Sequence, residues 1–238
     1  MVLEILMFNE SLMKKYLFPL MTFFLMSHAM AQEAVGVDSN YVFSGYTERV
    51  ETFWKMPVRK GAIIFVGNSL TDAGRWNDIA PELPILNRGI SGDISFGVVA
   101  RLDEILRHQP SKIFLMIGVN DLKRRVPISY IVDNYKKIVT AVRSQSPNTK
   151  VYLNSILPIN EKKLIESFKA VKNEDIAKLN DALKDIAAAH NQVEFIDLYP
   201  VVADLKGQLR EDITPDGIHL EVWAYPQVVA YLKKIKVL

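Results

Sequence analysis

Apolar positions along this chain follow two alternating rhythms. A short continuous run rich in β-branched residues stands at 62–66 (Ala62-Ile63-Ile64-Phe65-Val66), and more mixed apolar runs of strand length at 85–89, 112–118, 150–157 and 193–199. Runs of this length, apolar on both faces and closed by glycine or polar residues, read as buried parallel strands. Between them apolar residues return every three or four positions, the spacing of one helical face. Tyr46, Val50, Phe53 and Trp54 share such a face before the first run. Phe96, Val99, Leu102, Ile105 and Leu106 mark a helix after the second, and Ile128, Ile131, Val132, Tyr135, Ile138, Val139 and Val142 a stronger one after the third. Ile176, Leu179, Leu183 and Ile186 face inward from a helix between the fourth and fifth runs, and a last helix is expected over about 222–234. Strand and helix in alternation require a parallel sheet covered on both faces. The expected fold class is therefore α/β, a three-layer α/β/α sandwich around a five-stranded, flavodoxin-like parallel sheet. No repeat, low-complexity tract or linker divides residues 32–238, which are expected to form one domain.

The first 31 residues break this rhythm. Lys14 and Lys15 precede an apolar stretch at 16–26, and Ala29-Met30-Ala31 supplies a small-x-small pattern. Together these read as a secretory signal peptide cut after Ala31, with a secreted or periplasmic mature chain. A membrane anchor is the competing reading, but a spanning helix needs about 20 apolar residues, and this stretch is shorter and holds Pro19. The formal net charge of +2 is too small to suggest a nucleic-acid partner or an anionic membrane surface. Cysteine is absent, which removes disulfides, thiolate chemistry and a lipid-attachment site.

Candidate chemistry gathers in four short segments: Gly67-Asn68-Ser69-Leu70-Thr71, Asn87-Arg88-Gly89, Gly118-Val119-Asn120-Asp121 and Asp216-Gly217-Ile218-His219. Ser69 lies just past a strand's carboxyl end, the edge where open α/β sheets bind ligands. A serine there also serves as a helix N-cap. As a nucleophile it needs a base, normally an imidazole oriented by a third group. Of the four histidines, His28 falls in the expected leader, and His108 and His190 end helical patterns, where a cation suits the helix dipole. His219 remains, with Asp216 three residues earlier, a spacing that puts both side chains on one side of a helix-like turn. A developing oxyanion needs preorganised donors. The Ser69 N–H, Gly89 at the end of the second run and Asn120 after the third are the candidates; a turn glycine and an asparagine cap are the plainer readings of the last two.

These segments, in this order, resemble the blocks of the SGNH hydrolases, also called the GDSL esterase/lipase family, from about Ile63 to the C-terminus. Small exported acetylesterases and the platelet-activating-factor acetylhydrolase-like branch are the members it looks most like. The resemblance implies the same flavodoxin-like fold and a serine esterase: Ser69 as nucleophile, His219 as base, Asp216 orienting the base, and Gly89 and Asn120 joining the Ser69 N–H as oxyanion donors. It differs from the Gly-x-Ser-x-Gly elbow of α/β-hydrolases, since Thr71 occupies the last position. It also departs from the family's name motif at Asn68, where aspartate is usual, which bears on local hydrogen bonding and not on the catalytic groups. No cofactor and no metal is implied.

The expected substrate is a glycan or small-molecule ester, O-acetylated carbohydrate being favoured by the resemblance and by the lack of an evident long apolar lid. A lysophospholipase or acyl-thioesterase is the alternative within enzymes, and a non-catalytic carbohydrate-binding domain the alternative outside them. Asp72, Trp76, Arg88 and Asp93 follow the strand ends and are candidate substrate contacts. Trp76 would stack on a sugar, or else pack in the core; Arg88 would meet a carboxylate such as that of a sialic acid, or else form a surface ion pair. Trp223 reads equally as pocket wall or core. The long 158–173 connection carries Glu161, Lys162, Lys163, Glu166 and Lys169, a charged cover suited to a polar substrate.

Overall fold

The computed structural model describes residues 36–238; the expected leader, its cleavage site and His28 lie outside the described residues. Each of the five apolar runs forms a strand: β1 (Ile63–Gly67), β2 (Ile85–Gly89), β3 (Lys112–Met116), β4 (Lys150–Asn154) and β5 (Val193–Ile196). All neighbours pair in parallel, in the order β2-β1-β3-β4-β5, the flavodoxin-like arrangement. Strand β1, buried at every position, lies between β2 and β3, so the strand that leads to Ser69 is flanked by those that lead to Gly89 and Asn120. Three of the expected strands overran. Their last residues leave the ladder at the carboxyl edge of the sheet.

Helix α1 (Ser44–Lys55) precedes the sheet. Short helices α2 (Ser69–Asp72) and α3 (Trp76–Ile79) connect β1 to β2, and α4 (Ser95–Ala100) and α5 (Leu102–Leu106) connect β2 to β3. After β3 come α6 (Val119–Lys123) and α7 (Ile128–Gln145); α8 (Asn173–Ala188) leads to β5; α9 (Tyr199–Val202) and α10 (Tyr225–Lys234) complete the chain. Right-handed crossovers require the connections that step one way along the sheet to share a face. Accordingly α4, α5, α7 and α8 form one contiguous layer, while α10 packs with α3 and α9. Beneath that second layer an aromatic row crosses the sheet. Trp76 stacks on Phe65 at 4.2 Å, Phe65 on Phe114 at 4.8 Å, and Phe114 on Tyr152 at 4.8 Å, the three strand residues being in register.

The helix between β2 and β3 differs from its expected form. It breaks at Arg101, and Ser95 and Val98 are buried where Phe96 and Val99 are only half-buried. The cause is polar: Arg101 turns inward to pair with Asp93. Arg88 is likewise no surface residue. Its guanidinium, 2% exposed, pairs with Glu104 at 2.9 Å, contacts His108 and lies over the Phe53 ring at 4.5 Å. His108, read from sequence as a helix-end cation, is fully buried. Its Nδ1 accepts from the Arg59 N–H, which leaves Nε2–H to donate to Glu104, and burial holds its pKa below the usual imidazole range.

Removing one member of a buried ion pair strands the other, at a cost of about 3–5 kcal/mol. Arg88→Ala should therefore lower the unfolding free energy by about that amount in urea titrations; a loss below about 1 kcal/mol, the range of exposed pairs, would place Arg88 in solvent.

Candidate active site

Ser69 opens α2 directly after β1. The capping role that its position allows belongs instead to Asn68, whose side chain accepts from the Leu70 N–H at 3.1 Å. The Ser69 hydroxyl is thus released from local bonding, and it meets His219 Nε2 at 3.0 Å across 150 residues of sequence. His219 Nδ1 contacts Asp216 Oδ2 at 2.6 Å. The other oxygen, Oδ1, accepts from the backbone N–H groups of Ile218 and His219 at 3.0 and 2.8 Å. Burial works against the Asp216 charge, but the ring and both N–H groups outweigh it and hold the carboxyl below the usual carboxylate range. An ionised Asp216 keeps the imidazole proton on Nδ1, so the Nε2 lone pair faces the serine hydroxyl. That is the arrangement a general base needs.

A second segment buttresses this turn. The 158–173 connection bonds to it through Asn160 N–H to Gly217 O (2.9 Å) and Ile165 N–H to Asp216 O (3.2 Å). Its buried Phe168 meets the His219 ring edge-on at 6.4 Å, and Lys123 from α6 lies 4.3 Å over the Phe168 ring. The charges expected to cover the crevice, Glu161, Lys162, Lys163, Glu166 and Lys169, are all exposed. The wall beside the histidine is therefore aromatic.

Asn120 lies in α6, whose N-cap is Gly118, so Asn120 is no cap. One of its amide hydrogens goes to Asp93 O at 2.9 Å; the other has no acceptor among the described residues. The Ser69 N–H is similarly free. Gly89 is different. Its N–H donates to Asn87 Oδ1 at 2.8 Å, and a Cβ there would stand 2.1 Å from Asp72 N, so this glycine serves the packing of β2 against α2. A free N–H lies three residues later at Gly92, which adopts φ +85, has no acceptor for that N–H among the described residues, and directly precedes the Asp93 whose carbonyl holds Asn120. In sequence this position is marked by Ser91-Gly92-Asp93, a turn of small and polar residues.

Over residues 65–225 the chain matches the model of the GDSL-like Lipase/Acylhydrolase family. The chain belongs to this family. It is a carboxylic ester hydrolase. An arylesterase from Vibrio mimicus is 24% identical over 221 residues, 91% of this chain and 94% of that protein. Among solved structures, a Streptococcus pneumonia protein provisionally described as a platelet activating factor superposes with a TM-score of 0.71 at 28% identity, covering 90% of this chain and 98% of its own. A catalytic mutant of an acetylxylan esterase from Geobacillus stearothermophilus gives 0.58 at 20% identity, over 76% and 97% of the two chains. At that identity the likeness is one of fold.

Three of the four expected substrate contacts of this acylhydrolase are withdrawn by burial. Trp76 is 5% exposed, stacked on Phe65 and bonded through Nε1 to Thr71 O. Arg88 is committed to Glu104, which removes the basis for a sialic acid carboxylate. Asp93 has no exposed surface, and its carboxylate pairs with Arg101 at 2.9 Å. Asp72 stays half-buried, with its oxygens accepting from Arg49 and Ser91. Trp223, open between wall and core, is 52% exposed and so is not core.

Asp121, next to Asn120, is a further buried carboxyl. Burial pushes it up to about 7, against the pull of its hydrogen bonds from the Ser95 side chain and N–H. An unfolded aspartate titrates near 3.9, so between about pH 4 and 7 the native state holds a proton that the unfolded chain has lost, and stability falls as pH rises. Relative to Asp121→Asn, which does not titrate, the wild-type chain should lose stability from about pH 5 to pH 8 in urea unfolding. A difference that stays constant would mean that Asp121 ionises as it does in water.

Proposed function

We propose that this ester hydrolase works through a Ser69–His219–Asp216 acyl-enzyme mechanism and removes short acyl groups, foremost acetyl, from carbohydrate. The relay Ser69 Oγ to His219 Nε2 to Asp216 carries the mechanistic part. His219 takes the Ser69 proton as Oγ attacks the ester carbonyl, then returns it to the leaving alcohol. Asp216, already charged, stabilises the imidazolium formed between those steps. The carbonyl oxygen becomes an anion in the tetrahedral intermediate, and three unengaged donors suit it: the N–H groups of Ser69 and Gly92 and the spare amide hydrogen of Asn120. Water then repeats the sequence on the acyl-enzyme, with His219 again as base.

The short acyl group is supported by the acetylxylan esterases among the chain's relatives in fold. The sugar is supported by Trp223, half-exposed four residues after His219, whose indole offers an apolar face to a pyranose ring. The Geobacillus relative in fold is named for action on acetylxylan.

A series of 4-nitrophenyl esters should show kcat/KM falling at least about tenfold from acetyl to octanoyl, and peracetylated xylose or acetylated xylo-oligosaccharides should release acetate. Equal or faster turnover of octanoyl and palmitoyl esters would move the assignment to a lysophospholipase or thioesterase with the same relay. Asn120→Ala should lower kcat by about 100-fold or more while KM changes little, because the charge that it meets exists only in the transition state. An unchanged kcat would reduce Asn120 to a structural link to Asp93.

A further inference from the structure

The reaction leaves Asp121 without a part, yet its surroundings are built. The carboxylate has no exposed surface, and its side-chain partners among the described residues all belong to Ser95: the N–H at 3.1 Å to both oxygens and the hydroxyl at 2.6 Å. The Ser95 hydroxyl in turn accepts from Asn134 Nδ2 of α7 at 2.9 Å. Every donor in this set is matched when Asp121 is ionised. Burial opposes ionisation, and a buried carboxylate with only neutral donors is a feature that folding alone does not favour.

Its position gives the reason. Ser95 is the first residue of α4 and follows the turn that holds Gly92 and Asp93; Asp121 follows Asn120 in α6. Asn120 bonds to Asp93 O, and Asp121 bonds to Ser95, so adjacent residues of α6 grip residues two apart on the opposite segment. One link would leave the two segments free to rotate about it. Two fix both separation and rotation.

We propose that Asp121 is a positioning residue of the oxyanion site: its carboxylate locks the start of α4 to α6, so that the Asn120 amide and the Gly92 N–H are held where both reach one oxygen. This rests on the reading of Asn120 as an oxyanion donor. The carboxylate cannot be replaced by its amide without loss. In Asp121→Asn the amide oxygen can keep the Oδ1 place opposite the Ser95 hydroxyl, but the NH₂ then stands where Oδ2 accepted from the Ser95 N–H, a donor facing a donor, so that half of the grip is broken.

A double-mutant cycle tests the assignment. At about pH 8, with an acetyl ester, Asp121→Asn should lower kcat about tenfold with KM within about twofold; in the Asn120→Ala background the same change should cost less than about twofold, since the group being positioned is gone. A merely structural residue would lower kcat by the same factor in both backgrounds, and that result overturns the proposal. If Asn120→Ala alone leaves kcat unchanged, the oxyanion reading itself fails, a different outcome from additive losses. Ser95→Ala removes only the hydroxyl link and is read in the same cycle; it decides the question if Asp121→Asn does not fold.

Discussion

The ion pair between Arg101 and Asp93 joins three strand ends at one buried point. Arg101 Nε and Nη2 donate to Asp93 Oδ2, and Nη2 also reaches Gly67 O at the end of β1, two residues before Ser69. The Asp93 carbonyl holds Asn120 beyond β3, and its own N–H closes the turn back to Ile90 after β2. The strand before the serine, the Gly92 turn and the asparagine are therefore all tied to residue 93, through its charged side chain, its N–H and its carbonyl. Two ions with almost no exposed surface are expensive to desolvate, and burial alone pushes Asp93 above the usual carboxylate range. Such a pair contributes little net stability; what it supplies is a fixed geometry between loops that the sheet alone would leave adjustable.

The layered fold was legible because it rests on repetition. Five apolar runs and the 3.6-residue rhythm of α7 and α8 needed no knowledge of partners, and Ile131, Tyr135, Ile138, Ile176, Leu179 and Leu183 are buried where that rhythm puts them. The contacts among Ser69, His219 and Asp216 were legible for another reason: four segments in order narrow the possibilities that any single residue leaves open, and the three-residue spacing makes the Asp216–His219 contact local. Their chemical roles remain part of the proposal.

What failed to show was pairing between distant charges. Arg88, Asp93 and Arg101 look like surface residues in a list of types, and only the folded chain reveals that each has a counter-charge waiting inside. Arg101 broke an amphipathic helix that apolar spacing alone extended through it. The difference between the Gly89 and Gly92 N–H groups has the same origin. Which amide hydrogen is free depends on where the Asn87 side chain turns, and that choice is made by β2 packing against α2. Polar residues announce that they need a partner; they do not say which.

The backbone bonds from Asn160 and Ile165 to the turn around Gly217 have an evolutionary corollary. Surface connections usually drift in length and composition without disturbing catalysis, which is how one scaffold acquires new preferences. Here the segment best placed to reshape the rim is stitched to Asp216, whose carboxylate contacts the His219 ring. Insertions between 160 and 165 would shift the Asp216–His219 contact along with the rim, so diversification of this lineage should proceed through the Trp223 turn, whose changes leave those stitches intact.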